Sequence, residues 1–458
     1  MAVWNTIFSS QVLKEHRSDA EFFKPEYAQL DAYLEKVPVM TYIRALSFFV
    51  KKGIFDISPT KYQVSGIPLI RTFQIKSPIT NDENLVYLSE NDHKTEFFKT
   101  ELLAGDVVFT KIGAGIGDVA ILSKKYSIYN FSQNVAGLSV NRSIVNPYYL
   151  IAYLISEVGR KQILRYMMPS GQGKLELRDI KKIRIARLDT REDEIAELVQ
   201  ESERLVQESA LLYAQAQQLI ESELGLDKLT FQKPASYTAR FSEATASGRI
   251  DADYFQPQYA AIRSLVRAYP HGYELLLDCA DSLKPNIDPL KVPKKLFSYI
   301  ELSDINASIG TVDGFQSSFG VNLPSRAKRQ VCAGDVIASG VVGSINKVAI
   351  IDHEQDGFLA STGFFHLRPR TVSSEYLLML ARSQCVRMQF QQQSTGGILS
   401  AVPDSRLKYV VVPKVPVAVQ ENIACLVAKA HSANRKSQEL LEQAKARVEQ
   451  LIEEAVNS

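Results

Sequence analysis

The chain contains the same sequence pattern twice, roughly 230 residues apart. Residues 17–27 (Arg-Ser-Asp-Ala-Glu-Phe-Phe-Lys-Pro-Glu-Tyr) return with similar residues at 249–259, and the Ala-Gly-Asp-Val of residues 104–107 returns at 333–336. A segment with helical periodicity follows each copy. Because each copy is far longer than a solenoid repeat, the pattern predicts two globular domains, each followed by one helix.

Local sequence patterns indicate mixed α and β structure in each copy, that is, an α+β fold. The predicted architecture is two tandem domains, residues 1–188 and 233–416, joined by long helices at 189–232 and 417–458 that form an antiparallel coiled coil. Runs that read as strands in the first copy are 67–72, 107–110, 119–122 and 136–140. Runs that read as helices within the domains are 148–165 and 374–392.

Two segments carry a seven-residue repeat that predicts paired helices. The first helix is expected to run from roughly 191 to 223, about 50 Å at ~1.5 Å per residue, and Gly225 closes it. Each seam is thinned by small residues, so we expect the helices to pair with each other, with Asn434 buried to fix their register. The alternative is that each helix packs on its own domain. The predicted interface residues are Leu198, Leu205, Leu212, Leu219, Val427, Asn434, Leu441 and Val448.

The composition fits a multidomain protein with two hydrophobic cores, since 45% of the 458 residues are hydrophobic. Four cysteines without paired spacing suit a reducing compartment, and no apolar run approaches the length of a membrane span. We therefore expect a cytoplasmic protein with no membrane association. The six histidines are isolated in the sequence, so neither a metal site nor another cofactor is expected.

A basic segment precedes the first long helix. Residues 160–187 contain nine lysines and arginines against two acidic residues, although the net charge of the whole chain is only +2. A polar, glycine-containing loop lies within this segment at 169–174, and a comparable loop occurs in the second copy at 391–397. Such loops can bring backbone donors and lysines close to phosphates or base edges. The alternative is an ordinary solvated surface.

Motifs that resemble catalytic sites are incomplete. Residues 111–117 (Lys-Ile-Gly-Ala-Gly-Ile-Gly) lack the spacing of a dinucleotide fingerprint and of a P-loop, so a turn between two strands is predicted. Residues 146–149 (Asn-Pro-Tyr-Tyr) resemble the motif that holds a flipped adenine in amino-methyltransferases, but one proline and the cofactor motif are missing. A helix that begins at Pro147 is the better interpretation. We expect no catalytic residues in this chain.

The order of the duplicated motifs resembles that of the DNA specificity subunit of type I restriction-modification systems. The shared features are the Ala-Gly-Asp-Val strand with Thr110 or Ser339 three residues on, the Val-Ala-Ile-Leu/Ile strand, the Tyr-Leu pairs at 149–150 and 376–377, the polar glycine loops, and residues 299–305. The sequence departs from the family where the first long helix starts. In the family, a Pro-x-x-Glu-Gln motif or a similar one usually precedes each long helix. Residues 416–421 resemble this motif, whereas residues 188–192 resemble it only weakly.

The resemblance implies two target-recognition domains that each read half of a split site in double-stranded DNA. It also implies that the helices bind two methyltransferase subunits, that a restriction and translocase subunit joins the complex, and that catalysis belongs to these partners. Two alternatives stay open: a stand-alone methyltransferase or nuclease with drifted motifs, and a coiled-coil scaffold that does not read DNA.

Base edges in the major groove present a pattern of hydrogen-bond donors and acceptors, so we expect polar side chains of the domains to contact DNA there. The predicted contacts are Arg71, Lys111, Gln172, Lys174, Arg178 and Lys181 in the first domain, and Ser344, Asn346, Lys347, Gln392, Ser394, Thr395 and Arg406 in the second.

Overall fold

The computed structural model describes residues 6, 9–15, 17–82, 84–113, 115–167, 173–226, 236–396 and 400–457. The chain divides into two compact units. The first unit comprises Met1–Val206 together with Arg435–Ser458, and the second comprises Gln207–Asn434. Both units contain helices and sheets, so the predicted mixed fold class is confirmed.

The first unit contains six helices and ten strands in its described residues. Its helices are α1 (Ser9–Glu15), α2 (Pro25–Leu34), α3 (Glu90–Asp92), α4 (Pro147–Ile155), α5 (Glu157–Tyr166) and α6 (Leu177–Ile180). Its strands are β1 (Met40–Tyr42), β2 (Ser47–Lys52), β3 (Ile67–Ile70), β4 (Val86–Leu88), β5 (Leu102–Leu103), β6 (Val107–Thr110), β7 (Val119–Ile121), β8 (Ile128–Phe131), β9 (Val135–Val140) and β10 (Arg184–Ala186).

The remaining elements are two long helices and the elements of the second unit. Helix α7 (Arg191–Glu223) and the last helix, α13 (Val417–Asn457), each contribute residues to both units. The other helices are α8 (Phe241–Ser247), α9 (Pro257–Arg267), α10 (Leu276–Cys279), α11 (Ser374–Arg382) and α12 (Gln384–Gln393). The strands are β11 (Tyr273–Leu275), β12 (Ala280–Ser282), β13 (Leu296–Ile300), β14 (Ile305–Asn306), β15 (Thr311–Val312), β16 (Gln316–Phe319), β17 (Ala327–Gln330), β18 (Val336–Ser339), β19 (Val348–Ile350), β20 (Leu359–Ser361), β21 (Phe364–Pro369) and β22 (Val411–Pro413).

The two units have the same sheet topology. The first unit has four-stranded sheets in the orders β2-β9-β6-β7 and β4-β3-β8-β5. The second has β12-β21-β18-β19 and β16-β13-β20-β17, and it adds a β14-β15 ribbon. The pairing directions agree as well, because β3 pairs parallel with β8 and β13 pairs parallel with β20. The two Ala-Gly-Asp-Val segments therefore lead into equivalent strands, β6 and β18, and the repeated motif at 17–27 and 249–259 leads into α2 and α9.

Most predicted strands and helices are present, with adjusted ends. The predicted strand at 107–110 is β6, and the helix expected from 191 to 223 has those bounds in α7. The predicted helices at 148–165 and 374–392 are each split in two. The split falls at Ser156 in one unit and at Ser383 in the other, and each serine hydroxyl accepts a backbone N–H of the helix that follows. A serine used as an N-cap starts a new helix and ends the previous one.

Both long helices contribute to the hydrophobic core of each unit. In the first unit, Ile195 and Val199 of α7 and Val448 and Leu451 of α13 are fully buried in the cluster that contains α4. In the second unit, the corresponding core residues from the long helices are Tyr213, Ala216, Ile220, Ile423, Val427 and Ala430. The two helices thus bury apolar surface against the domains as well as against each other, which combines the two packing alternatives.

Side chains of α7 and α13 are in contact in both units, and in the first unit the contacts run in antiparallel order. In the first unit the Ser202 and Ser437 hydroxyl oxygens lie 2.8 Å apart and are buried, and Arg191 pairs with Glu454 at 3.4 Å. In the second unit the Tyr213 ring stacks on His431, with centroids 6.3 Å apart. In the first unit, Arg191 at the start of α7 therefore lies beside Glu454 near the end of α13, and Ser202, further along α7, lies beside the earlier Ser437.

The most buried line of α7 differs from the predicted leucine seam. Ile195, Ser202 and Ala216 are fully buried, whereas Leu198, Leu212 and Leu219 are half-buried and pack on the domain cores. Small residues let two helix backbones approach closely, so the larger leucines lie at the flank of the contact. Leu205, Val427, Leu441 and Val448 are buried as expected. The prediction that Asn434 is buried is wrong: its side chain is half-exposed, and its neighbour Ala433 is buried instead.

Asp335 fixes the start of β18 through a dense set of hydrogen bonds. It accepts from the Cys332 backbone N–H at 2.8 Å, from His366 Nε2 at 2.6 Å and from both Arg368 donors at 2.8 and 2.9 Å. Burial opposes ionisation here, but the hydrogen bonds from His366 and Arg368 outweigh it and lower the pKa of Asp335 to about 2. The ionised form is therefore the stable form in the folded protein.

Asp106 occupies the equivalent position before β6, where fewer hydrogen bonds stabilise its ionised form. It accepts from the Leu103 and Val140 backbone N–H groups at 2.9 and 3.1 Å and from Arg142 at 3.1 Å. Burial raises the pKa of Asp106, and these three donors oppose the increase without cancelling it. The repeat thus holds two equivalent carboxyl groups whose pKa values move in opposite directions.

We expect acid to act oppositely on these two sites. Asp335 stabilises the fold above its unfolded pKa of about 4, and this contribution disappears as the pH falls toward about 2. Protonation of Asp106 instead favours the folded state, because its folded pKa is raised. The Asp335→Asn change should cost about 2 kcal/mol near neutral pH and much less in acid, whereas the cost of Asp106→Asn should not shrink in acid.

Amide hydrogen exchange of peptides from β18 and β6 in the full chain measures the two sites separately. Exchange in β18 should accelerate on acidification in the wild type after correction for intrinsic rates, and Asp335→Asn should remove that acceleration. Equal pH responses of the β6 and β18 peptides would contradict the assignment.

Candidate nucleic-acid interface

The segment 111–118 connects β6 to β7 as a turn, as the sequence predicts; Ala114 lies outside the described residues. Lys111 begins this turn, and its backbone N–H donates to the Asn134 carbonyl at 2.8 Å. Its own carbonyl accepts from the Leu175 N–H at 3.0 Å, and Ile112 forms a β-bridge with Lys174. These bonds join the hairpin turn to the end of the polar loop that the sequence singled out.

Lysine side chains converge at this junction. Lys111 is only 8% exposed, and burial, together with the charges of Lys174 and Lys52, lowers its pKa, while Glu176 opposes the shift. Lys174 pairs with Glu176 at 2.7 Å. The pKa of Glu176 is lowered, first by this hydrogen bond. The bridge between Ile112 and Lys174 brings the predicted residues Lys111 and Lys174 close together, and the charge of Lys52, which the sequence analysis missed, also acts on Lys111 and lowers its pKa.

The other predicted residues of the first domain are more dispersed. Arg178 is 69% exposed on α6, 3.9 Å from Asp179, and Lys181 is exposed just after that helix. Both can reach a ligand. Arg71 is half-buried, and its guanidinium donates to the Asn84 carbonyl of its own unit, so part of its donor capacity is used internally. Gln172 lies outside the described residues.

The second unit repeats the hairpin turn between β18 and β19. Its Ser344 hydroxyl lies 3.0 Å from the Ser339 hydroxyl, so this side chain is partly engaged within the turn. Asn346 is exposed. The Lys347 ammonium donates to the Leu302 carbonyl at 2.6 Å, which ties this lysine to its own domain. Asn346 is therefore the predicted turn residue whose side chain is most open to a ligand.

The polar segment at the end of α12 and just beyond it is only partly accessible. Gln392 is buried and donates to the Tyr254 carbonyl at 3.0 Å, so its amide does not face solvent. Ser394 donates to the Gln391 carbonyl at 2.7 Å, while Thr395 is exposed. Arg406 is half-buried beside the Tyr409 ring. The assignment of these residues as DNA contacts stays a prediction. The exposure of their side chains favours Thr395 and Arg406 over Gln392.

A cavity of about 520 Å³ in the first unit lies where α4 and α7 begin. Its lining includes Lys124, Arg142, Asp189 and Asp193 and thus carries both charge signs. The neighbouring Asn146 accepts the Tyr148 N–H at 3.1 Å and caps α4, so the Asn-Pro-Tyr-Tyr motif starts a helix as predicted.

The described residues contain no group of three or more His, Cys, Asp or Glu side chains able to hold a metal ion. Over the same part of the chain, no helix is both long and apolar enough to cross a membrane.

Comparison with known proteins gives one family match. A family model described as the type I restriction modification DNA specificity domain matches residues 51–187. This stretch contains the β6–β7 turn, Lys111 and Lys174, and over these residues the resemblance inferred from the sequence motifs is confirmed. No curated protein matches the chain.

Two solved structures illustrate the structural likeness. One is the S subunit of a type I restriction-modification system from M. genitalium, with 12% identity, a TM-score of 0.40, and coverage of 91% of this chain and 95% of that chain. The other is the HsdS subunit from Thermoanaerobacter tengcongensis, with 14% identity, a TM-score of 0.30, and coverage of 91% and 97%.

Proposed function

We propose that this chain, which carries a type I restriction modification DNA specificity domain over residues 51–187, is the DNA specificity subunit of a type I restriction-modification complex. The main support is the topology of the second unit. That unit repeats both four-stranded sheets of the unit that contains the matched domain, so a second specificity domain of the same kind is the economical interpretation. Two such domains suit a DNA site made of two short words.

In this proposal each domain reads one word with its exposed polar side chains. Arg178, Lys181, Asn346 and Thr395 are exposed, and arginine, lysine, asparagine and threonine are all able to bond base edges or phosphates. Lys111 and Lys174 join them at the hairpin turn of the first unit. The proposal leaves Gln392 in a structural role, since its amide is buried.

The long helices are proposed to be an antiparallel spacer between the two domains and the docking platform for two methyltransferase subunits. The contacts of Arg191 with Glu454 and of Ser202 with Ser437 support an antiparallel pair in the first unit, and the stacking of Tyr213 on His431 supports contact between the same helices in the second. A restriction and translocase subunit is proposed to join the assembled complex. Catalysis is assigned to these partners, and the chain itself is proposed to be non-catalytic.

Deletion of the gene tests this function in its source organism. We expect methylation to disappear from one two-part DNA sequence across the genome and to return when the gene is supplied again. The rigorously purified chain should neither transfer methyl groups nor cut DNA, because these steps belong to the partners. Methylome sequencing and assays with labelled S-adenosylmethionine measure the two outcomes.

Other results would favour the alternatives. Methyl transfer by the pure chain would indicate a stand-alone enzyme. A methylome unchanged by deletion, together with no sequence-selective DNA binding in the presence of partners, would indicate a scaffold. A single continuous methylated site would contradict the proposal that two domains read two words.

A further inference from the structure

The duplication provides an internal comparison for Lys111. Gly340 holds the same backbone position in the second unit: its N–H donates to the Gly363 carbonyl at 2.9 Å, and its carbonyl accepts from the Val402 N–H at 2.8 Å. Ile112 bridges Lys174 in the first unit, and in the second unit Val341 bridges Ala401 in the same way. Thus Lys111 and Lys174 stand where the second unit has a glycine and an alanine.

The strand that lies beside position 111 in the first unit also differs in sequence from the strand that lies beside Gly340 in the second. A Cβ atom on Gly340 would lie 3.4 Å from the Phe365 ring and 3.3 Å from the Val402 carbonyl oxygen, both tight contacts. Phe365 pairs with Ala338 across the sheet, and the equivalent partner of Phe109 in the first unit is Ala136. The ring and the methyl group have thus exchanged strands between the two units, and the strand that carries the crowding Phe365 ring opposite Gly340 carries only the Ala136 methyl group in the first unit.

The electrostatics of this junction are unfavourable without a ligand. Lys111 is nearly buried and lies within the fields of Lys52 and Lys174. Glu176 is paired with Lys174, and among the described residues no carboxylate lies within ion-pair distance of Lys52 or Lys111. Burying a charge among like charges costs free energy. The second unit adopts the same backbone without Lys111 or Lys174, so the fold itself does not require these lysines.

We propose that Lys52, Lys111 and Lys174 form a site for a phosphate group of the DNA backbone in the first unit, a site that the second unit does not have. The proposal rests on the proposed function and adds a role to it, because these lysines position the DNA and do not read its sequence. Lysine is a point-charge donor well suited to phosphate, and a bound phosphate supplies a counter-charge to Lys52 and Lys111, which have no carboxylate within ion-pair distance in the described part of the chain.

The proposed site makes the two units contribute unequally to the affinity for DNA. The first unit gains an affinity term that depends on salt and not on sequence, whereas the second unit relies on its other contacts. Mutations in the cluster should therefore weaken binding to all duplexes alike and leave the recognised sequence unchanged.

Lys111→Met tests the site, because methionine fills a similar volume without the charge. We expect the full chain, alone or in its complex, to bind a duplex oligonucleotide of arbitrary sequence about tenfold more weakly. The slope of log affinity against log salt concentration should fall by about one. Thermal stability should stay the same or rise, since a buried charge is removed, and a merely structural lysine would not give this combination. Lys52→Met and Lys174→Met should change the slope in the same direction.

The matched control is Lys94→Met, which removes one exposed lysine of the first unit that pairs with Glu90. It should leave both affinity and salt slope near the wild-type values. If the wild-type chain binds no duplex DNA with or without partners, the proposed function fails. If it binds DNA and Lys111→Met has the same affinity and salt slope, the phosphate site fails while the proposed function stands. A changed sequence preference with an unchanged slope would make Lys111 a base reader and would also overturn the phosphate assignment.

Discussion

Replacing residues 233–415 with the corresponding segment of a relative is expected to change one half of the recognised DNA sequence and to leave the other half and the spacing intact. The exchanged segment ends between β22 and α13, so both long helices keep their own sequence. The first unit keeps its Lys111 turn and its exposed residues Arg178 and Lys181. Because each domain has its own polar loops, the change should be confined to one word.

The donor segment must fit the long helices of this chain. Tyr213 and Ile220 of α7 and Val427 of α13 lie in the same core as α11 of the second unit. Gly310 is the most demanding contact, because a Cβ atom there would lie 2.8 Å from the Tyr213 hydroxyl oxygen and the residue has a φ of 71°. A donor with glycine at this position and apolar residues along α11 should fold without disturbing the helices.

Methylome sequencing of the exchanged strain gives the answer directly. The reciprocal exchange of residues 1–188 serves as the matched control and should change only the other word. If both words change in either strain, the domains do not read independently. If neither changes, recognition lies outside the exchanged segments.

The fold was largely predictable because its main signals are local or duplicated. The heptad pattern and Gly225, which adopts a φ of 65°, located the end of α7. The Ala-Gly-Asp-Val segments located β6 and β18 because glycine and aspartate make the turn before each strand: Gly334 has a φ of 85°, and Asp335 accepts the Cys332 N–H.

The candidate site was less predictable because its decisive relations are not local. Lys52 was missed because it reaches the cluster only through the pairing of β2 with β9, where it lies opposite Ala136. Gln392 has the composition of a loop residue, but α12 continues through it and its amide is bonded to a carbonyl far away in the sequence. Asn434 follows the seven-residue spacing of Val427, Leu441 and Val448, which are buried, yet its own side chain is only half-buried and the adjacent Ala433 is buried instead.

Burying a charge on the packed face of α13 is expected to abolish assembly with the proposed methyltransferase subunits. Ala444 of α13 is fully buried in the first unit, and Ala430 is fully buried in the second. Glutamate at either position would place an unpaired carboxylate in an apolar contact, at a cost of about 3–5 kcal/mol. The helix pair should open locally, and if it is the docking platform, the partners should dissociate.

The same helix supplies matched controls. Ala446 and Ala428 are exposed alanines two positions from the buried ones, and glutamate there should change stability by no more than about 0.5 kcal/mol. Amide exchange of α7 and α13 reports the state of the helix pair, and native mass measurement reports the assembly. Ala444→Glu and Ala430→Glu should accelerate exchange and release the partners, whereas Ala446→Glu and Ala428→Glu should leave exchange slow. Full assembly of both buried-site variants despite accelerated exchange would show that the partners bind elsewhere, since a platform that has opened cannot present its docking surface.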